Sequence, residues 1–408
     1  MSRLDELIAE LCPDGVEYKK LGEIATDVFR GSGIKREDVT ETGIPCVRYG
    51  EIYTTYGVWF DTCVSHTTLD KVPSPKYFEY GDILFVITGE SVEDIAKSTA
   101  YTGHDKCLAG GDIVVMKHHE DPKYLSYALS STDARRQKSA GKVKSKVVHS
   151  SVPAIKEIRI PVPPLPVQQE IVRILDHFTE LTAELTAELT ARKKQYEYYR
   201  ESLMSFDNVP YVGLDTLFPN IRNGFVGTVT KFFTDKENGI RYLEGTNIHN
   251  GIISDNEELY VTREFHQKNI RNELKEDDIL MVQSGHIGEC AIVGKKYMGS
   301  NCHALIIMSN GGNCLSKFYV HYFHTIEGMR HLKPAITDGN LKHVLAGKMS
   351  FVKVPFPPVE EQKRIVDILD RFDSLCNDLT SGLPAEIAAR QKQYEYYRDK
   401  LLSFPEKG

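Results

Sequence analysis

Residues 194–200 read Lys-Gln-Tyr-Glu-Tyr-Tyr-Arg, and residues 392–398 read the same seven again. The match is longer than this run. Upstream of the first copy stand Pro163, Pro164, Gln168, Ile171, Val172, Ile174, Leu175, Asp176 and Phe178. Upstream of the second stand, in the same order, Pro357, Pro358, Gln362, Ile365, Val366, Ile368, Leu369, Asp370 and Phe372. Ser-Phe closes each copy, at 205–206 and 403–404. The regions before the copies echo each other more faintly. Asp82-Ile83-Leu84 matches Asp278-Ile279-Leu280, Gly89 matches Gly285, and Gly43-Ile44 matches Gly239-Ile240, all 196 positions apart. Such self-similarity marks a duplicated unit. The plan is globular, helical, globular, helical, with regions 1–160, 161–208, 209–354 and 355–408. The helical parts stayed alike and the globular parts diverged, so the helices share a job and the globular units perform variants of one job.

Residues 165–205 carry apolar side chains mostly three or four apart, the helical period. The proline pair marks the entry, because proline is tolerated at a helix start and not inside one. Some 41 residues at 1.5 Å each give a rod of about 60 Å. Its single apolar stripe calls for a partner rod, and the second copy supplies one. Antiparallel pairing is expected, since it relates the halves by a pseudo-twofold axis. Ile171, Phe178, Leu185, Tyr196, Tyr199, Ile365, Phe372, Tyr394 and Tyr397 are the expected packing residues, and the tyrosine-rich run reads as helix or subunit packing rather than base stacking. The copies differ in length. Pro163 to Lys194 is 31 steps and Pro357 to Lys392 is 35. The second contains Ser381-Gly382-Leu383-Pro384, which predicts a break near 382. The first instead repeats Thr-Ala-Glu-Leu at 182–185 and 186–189, a ruler-like spacer or a plain solvent-facing one.

In the globular halves, 83–87, 113–116, 279–282 and 304–308 read as buried strands, and 124–130 and 318–324 as short helices. Each half is a mixed α/β unit. The net charge of -7 excludes a uniformly basic coat but not a local patch. Residues 134–149 hold Arg135, Arg136, Lys138, Lys142, Lys144 and Lys146 with no acid, interleaved with glycine and serine, as in a loop lying along phosphates. The matching stretch 330–348 holds Arg330, Lys333, Lys342 and Lys348 against one acid, with His331 and His343 nearby. Recurrence at one place in both halves favours phosphate contact over a plain solvated loop. Arg30, Lys35 and Arg36 in one half, and Arg222 and Asn223 in the other, have the donors suited to base edges. The turns at Gly89 (with Thr88 and Glu90) and at Gly285 (with Gln283, Ser284 and His286) are further candidates.

Chemistry is hard to find. The P-loop and the His-Glu-x-x-His motif are both missing. His118-His119-Glu120 has no partner at helical spacing, so it is not read as a zinc site. Phe29-Arg-Gly31-Ser-Gly33 matches a glycine motif of adenosylmethionine binders, but the Pro-Pro pairs sit among apolar residues where a methyltransferase needs polar and aromatic ones. It is read as a loop. No apolar run reaches the roughly 18 residues of a membrane span. The acidic start, Asp5 and Glu6, is unlike a signal peptide. Eight cysteines without a C-x-x-C pair point to reduced thiols in a cytoplasm.

Two diverged α/β units, each followed by P-P-(apolar)-x-x-Q, I-V-x-I-L-D, K-Q-Y-E-Y-Y-R and S-F, resemble the specificity subunit of type I restriction–modification systems, the HsdS family. Residues 4–18 resemble that family's start. The resemblance is strong over 161–206 and 355–404 and only architectural elsewhere. It implies an α+β chain of two target recognition domains on a long antiparallel two-helix coiled coil. Region 1–160 would be the first domain with an N-terminal helix, and 209–354 the second. It implies binding of double-stranded DNA at a bipartite target with a non-specific spacer, tuned by repeats like the one at 182–189. It also implies two methylase and two restriction subunits as partners. S-adenosylmethionine, ATP and Mg would be used through those partners, with no cofactor or catalytic site in this chain. A methyltransferase fused to its reader, a coiled-coil interaction protein that does not bind DNA, and a reader from a system without the nuclease are the alternatives.

Overall fold

A computed structural model describes residues 2–89, 91–140, 148–338, 342–378 and 380–408. The chain divides into two compact units. One comprises Met1–Leu185 with Ile387–Gly408, and the other is Thr186–Glu386. The boundaries expected from the repeat assign each helical copy a region of its own. The compact units instead cut both copies in the middle.

In the first unit, Ile83–Val86 lies between Ile113–Lys117 and Ser98–Tyr101 in a five-stranded sheet, with Asp27–Arg30 and Trp59–Phe60 at its edges. Successive side chains of a strand point to opposite faces. Ile83 and Phe85 therefore enter one apolar cluster, while Leu84 and Val86 enter another. Both faces are covered, which explains the unbroken apolar runs. A second sheet is built around a parallel pair, Ile44–Val47 with Cys107–Ala109.

The second unit repeats this plan. Ile279–Val282 lies between Leu305–Ser309 and Cys290–Ile292, with Asn220–Asn223 at the edge. Ile279 and Met281 face one cluster, Leu280 and Val282 the other. A parallel pair recurs too, Gly239–Leu243 with Asn301–Cys302. A short ribbon leads into the helical copy in each unit: Tyr18–Lys20 with Arg159–Pro161, and Tyr211–Gly213 with Lys353–Pro355. The stretch 29–33, read as a loop, begins as strand: Phe29 and Arg30 end the edge strand Asp27–Arg30. Gly31 is required there, since a Cβ would sit 2.2 Å from the Gly110 carbonyl oxygen.

The first helical copy is one helix of 39 residues, Leu165–Leu203. The second is two, Val359–Asn377 and Leu383–Leu401. The break falls where glycine and proline placed it. A Cβ on Gly382 would lie 2.5 Å from the Ser374 carbonyl oxygen. Asp378 accepts from the Ser381 hydroxyl, the Thr380 hydroxyl and the Thr380 amide, and these bonds hold its carboxyl down at about 2.

The repeated motif residues dock the helices. Gln168 is fully buried. Its Oε1 accepts from the Asp121 amide at 3.0 Å, and its Nε2 donates to the Pro163 carbonyl at 2.8 Å and to Glu120 at 2.7 Å. Gln362 does the same in the second unit, with the Leu315 amide at 2.9 Å and the Pro357 carbonyl at 2.9 Å. The aspartate of I-L-D plays a like part. Asp176 accepts from Lys123 and Tyr127, each at 2.7 Å. Asp370 accepts from Lys317 at 2.8 Å and faces His321 Nε2 at 3.1 Å.

The packing residues fall in the two units as exchanged pairs. Ile171 and Ile365 are fully buried. In the first unit Phe178 stacks on Tyr397 at 5.4 Å, and Tyr394 packs on Tyr127 at 6.3 Å. In the second, Phe372 stacks on Tyr196 at 6.1 Å and on Tyr199 at 5.4 Å. Cys376, one turn past Phe372, faces the charges of Lys193 and Arg192, so these two segments run in opposite directions within the unit. Leu185 is only half-buried and joins no core cluster.

The second unit places His321 where the first has Tyr127. Burial pushes the His321 imidazole below its ordinary 6.5, against the pull of Asp370. Its folded value lies below its unfolded one, so as pH falls through about 6.5 the unfolded state takes up the proton first. The second unit is therefore expected to lose stability on that acid side. Thermal unfolding of the wild type and of His321→Tyr at pH 7.5 and 5.5 checks this. The substitution should shrink the acid-side fall, and an identical fall in both proteins would refute it.

Candidate nucleic-acid interface

From 134 to 139 the basic stretch is a helix, not a loop. Ser131 caps Thr132–Ser139 by accepting from the Ala134 amide. Ala134 and Lys138, four apart, share its inner face and are buried. Arg135 and Arg136 are exposed, with Arg136 paired to Asp133 at 2.6 Å. Lys138 does not lie on the surface as the basic stretch suggests. Its side chain lies along the core-facing stripe, and its ammonium donates inward to Ser98 Oγ at 3.1 Å and to the Leu129 carbonyl at 2.8 Å. Lys142, Lys144 and Lys146 lie outside the described residues, as does Glu90.

In the second unit Arg330 is exposed on the helix Ile326–Leu332 and pairs with Glu327. Lys333, Lys342 and Lys348 are exposed. His331 is tied to the Tyr322 hydroxyl at 2.6 Å.

Each unit brings the segment after its central apolar strand against its basic stretch, but the turn expected at Gly89 is strand, Thr88–Gly89, while Gly285 lies in a bend. In the first, Thr88–Gly89 pairs antiparallel with Val148–His149. In the second, Ser284 bridges to His343, and the Val344 amide donates to the Gln283 carbonyl at 2.9 Å. Gly285 has φ +81, a backbone conformation that glycine adopts freely. Tyr49 and Tyr53 line a cleft with Thr88 and Gly89. Beside Gly285 lies His286, whose ring meets that of His249 at 6.2 Å. Tyr49, Tyr53 and His249 carry no local sequence signal of these contacts, because the fold alone brings residues so distant in the chain together.

The base-edge candidates divide. Lys35 and Arg36 are exposed near the Gly33 turn, and Asn223 is exposed on its edge strand. Arg30 is partly engaged by Asp112 at 2.6 Å. Arg222 does not face outward as a base reader would. It donates inward to the Arg271 carbonyl at 3.0 Å, Ser309 at 2.8 Å and the Glu273 carbonyl at 3.2 Å, and its side chain is 16% exposed. With its fork filled by partners within its own unit, it has little left for a base.

The family model described as the type I restriction modification DNA specificity domain matches residues 13–192 and 225–389. The chain belongs to this family. As a specificity-family member it is 35% identical over 282 residues to a putative type I restriction enzyme specificity subunit of Haemophilus influenzae, covering 65% of this chain and 68% of that one. It is 36% identical over 271 residues to a type I restriction enzyme specificity subunit of Escherichia coli, covering 61% and 64%. Among solved structures, the specificity fold recurs in a chain from a study of type I complex assembly, with TM-score 0.61, 16% identity, and coverage of 96% and 98%. It recurs also in the S subunit of M. genitalium, with TM-score 0.53, 15% identity, and coverage of 95% and 96%. All eight cysteines are free and buried. No helix among the described residues is long and apolar enough to cross a membrane.

Proposed function

We propose that this chain is the non-catalytic DNA-reading subunit of a type I restriction–modification complex, acting in the cytoplasm. Each globular unit reads one half of a bipartite duplex target. The helical copies form an antiparallel coiled coil that sets a non-specific spacer. The pseudo-twofold relation stems from the internal duplication. The observation that carries this reading is the recurrence, in two diverged units, of a pairing between the segment after the central strand and the basic stretch. Diverged surfaces at one place in a repeated fold read different half-sites. Arg135, Arg136, Arg330, Lys333, Lys342 and Lys348 take phosphates, while Lys35, Arg36, Asn223 and the segments around Gly89 and Gly285 face bases.

The identical tyrosine runs support two identical methylase partners. Tyr198 and Tyr396, the second tyrosines of the runs, are 69% and 62% exposed. Exposed aromatic side chains repeated at equal places suit two equal docking sites. Restriction subunits join that assembly, and S-adenosylmethionine, ATP and Mg enter through the partners. Mapping methylated adenines in cells carrying the chain and its methylase tests the reading. Two unlike half-sites at a fixed gap are expected, and a continuous or symmetric target would refute it.

Changing Arg135 and Arg136 to alanine is expected to weaken binding to every duplex and to lower the salt slope by about one per lost contact. Titration of the complex with matched and unmatched duplexes over a salt series reads this. A loss confined to one sequence would make these arginines base readers.

A further inference from the structure

In the first unit, Lys97, Ser98, Arg135 and Lys138 line a cleft of about 210 Å³, with Glu93 and Asp94 also on its wall. One water needs only about 10–15 Å³ by the same measure. Lys138 is 7% exposed and sits by the Phe85 ring. Its ammonium has three donors, and Ser98 and Leu129 take two. Among the described residues no ion pair within 4.0 Å joins Lys97, Arg135 or Lys138 to an acid; the nearest compensation is Asp94, which favours the charge on Lys97. Arg135 opposes the charge on both lysines. Burial first, and Arg135 second, push Lys138 down to about 7.

The fold does not require this lysine. In the second unit Thr325 caps the equivalent helix, accepting from the Gly328 amide as Ser131 accepts from Ala134. Counted from the caps, Arg135 corresponds to Met329 and Lys138 to Leu332. Leu332 is fully buried in the apolar core, and Met329 packs against that core. The same helix thus closes with leucine in one unit and with an uncompensated lysine in the other. Burying a charge without a partner is unfavourable. Ala96, just before Lys97, holds φ +57, a strained value for a residue with a side chain. Strain and an unpaired buried charge at one cleft mark a place built for a ligand.

We propose that this cleft is a phosphate-binding pocket, with Lys138 at its floor and Arg135 at its mouth closing on the oxyanion. Among the described residues the second unit has no such lysine, and Leu332 stands in its place. The phosphate comes either from a free phosphate compound or from the backbone of a duplex, and only the latter source rests on the DNA reading above.

The test uses the full chain, wild type and Lys138→Leu, with inorganic phosphate in one arm and a random-sequence duplex in the other. The substitution copies the second unit, so an unchanged or higher melting temperature shows that the fold holds. Arg135→Gln serves as a second variant at the mouth. Loss of a charge-assisted contact is expected to weaken binding about tenfold in at least one arm. In the duplex arm the salt slope should also fall by about one. Above pH 7, binding should draw in a proton at Lys138, seen calorimetrically as heats that depend on the buffer; a lysine that only packs would not do this. Phosphate binding that needs Lys138, without any duplex binding, supports the pocket and removes the DNA reading. Duplex binding indifferent to Lys138, with no phosphate binding, removes the pocket and keeps that reading. Equal affinities of both proteins in both arms, or no binding in either, overturn the pocket.

Discussion

Gln168→Leu and Gln362→Leu are each expected to lower stability by about 3 kcal/mol. Each glutamine is fully buried at the start of a docked helix. Leucine fills much the same space, so the loss is not a cavity effect. It comes from the groups left behind. Without Gln168 the Asp121 amide and the Pro163 carbonyl lose their partner, and so does Glu120. Without Gln362 the Leu315 amide and the Pro357 carbonyl lose theirs. Each stranded buried polar group costs about 1–3 kcal/mol. For a unit of this size that amounts to a fall in melting temperature of roughly 6–12 °C. Because the two glutamines lie in different units, each substitution should lower one calorimetric transition and spare the other. Gln391→Leu, at an exposed position of Leu383–Leu401, is the control and should change little. Equal melting of all three variants would mean the glutamines do not lock the helices.

The helices were legible because their signals are local. The proline pairs, the three-to-four spacing and Gly382 each act within a turn or two of chain. The strands 83–86 and 279–282 were legible because a run apolar at every position can only be buried on both faces. Lys138 was not. Its neighbours Arg-Arg-Gln-Lys-Ser read as a polar loop, and its inward turn depends on Ala134 four residues earlier and on Ser98 from a distant strand. Arg222 failed for the same reason, since its acceptors lie about 50 and 87 residues further on. The exchange of helical ends is what antiparallel pairing implies, since the start of one copy then meets the end of the other, as Phe178 meets Tyr397 in the first unit and Phe372 meets Tyr199 in the second.

On the bipartite reading proposed above, deleting residues 186–189 is expected to change the preferred gap between half-sites and leave both half-sites as they were. The stretch is suited to such a cut. Core packing of the long helix in the first unit ends at Phe178 and resumes in the second at Tyr196. Between them Leu185 and Leu189 are half-buried, and Ala187 and Glu188 are exposed. Removing one Thr-Ala-Glu-Leu block therefore takes little apolar surface from either core. It shortens a helix by about 6 Å and turns its C-terminal part by about 40°. Along a duplex, 6 Å is nearly two base pairs. The rotation matters as much as the length, because DNA turns fully every 10–10.5 base pairs and a reader must meet the groove in phase. A gap shorter by about one or two base pairs, with weaker binding at the original gap, is the expected outcome. Methylation mapping with the deleted chain and its methylase reads gap and half-sites together. An unchanged gap would make the stretch a passive connection, and altered half-site bases would place recognition in the helix rather than in the globular units.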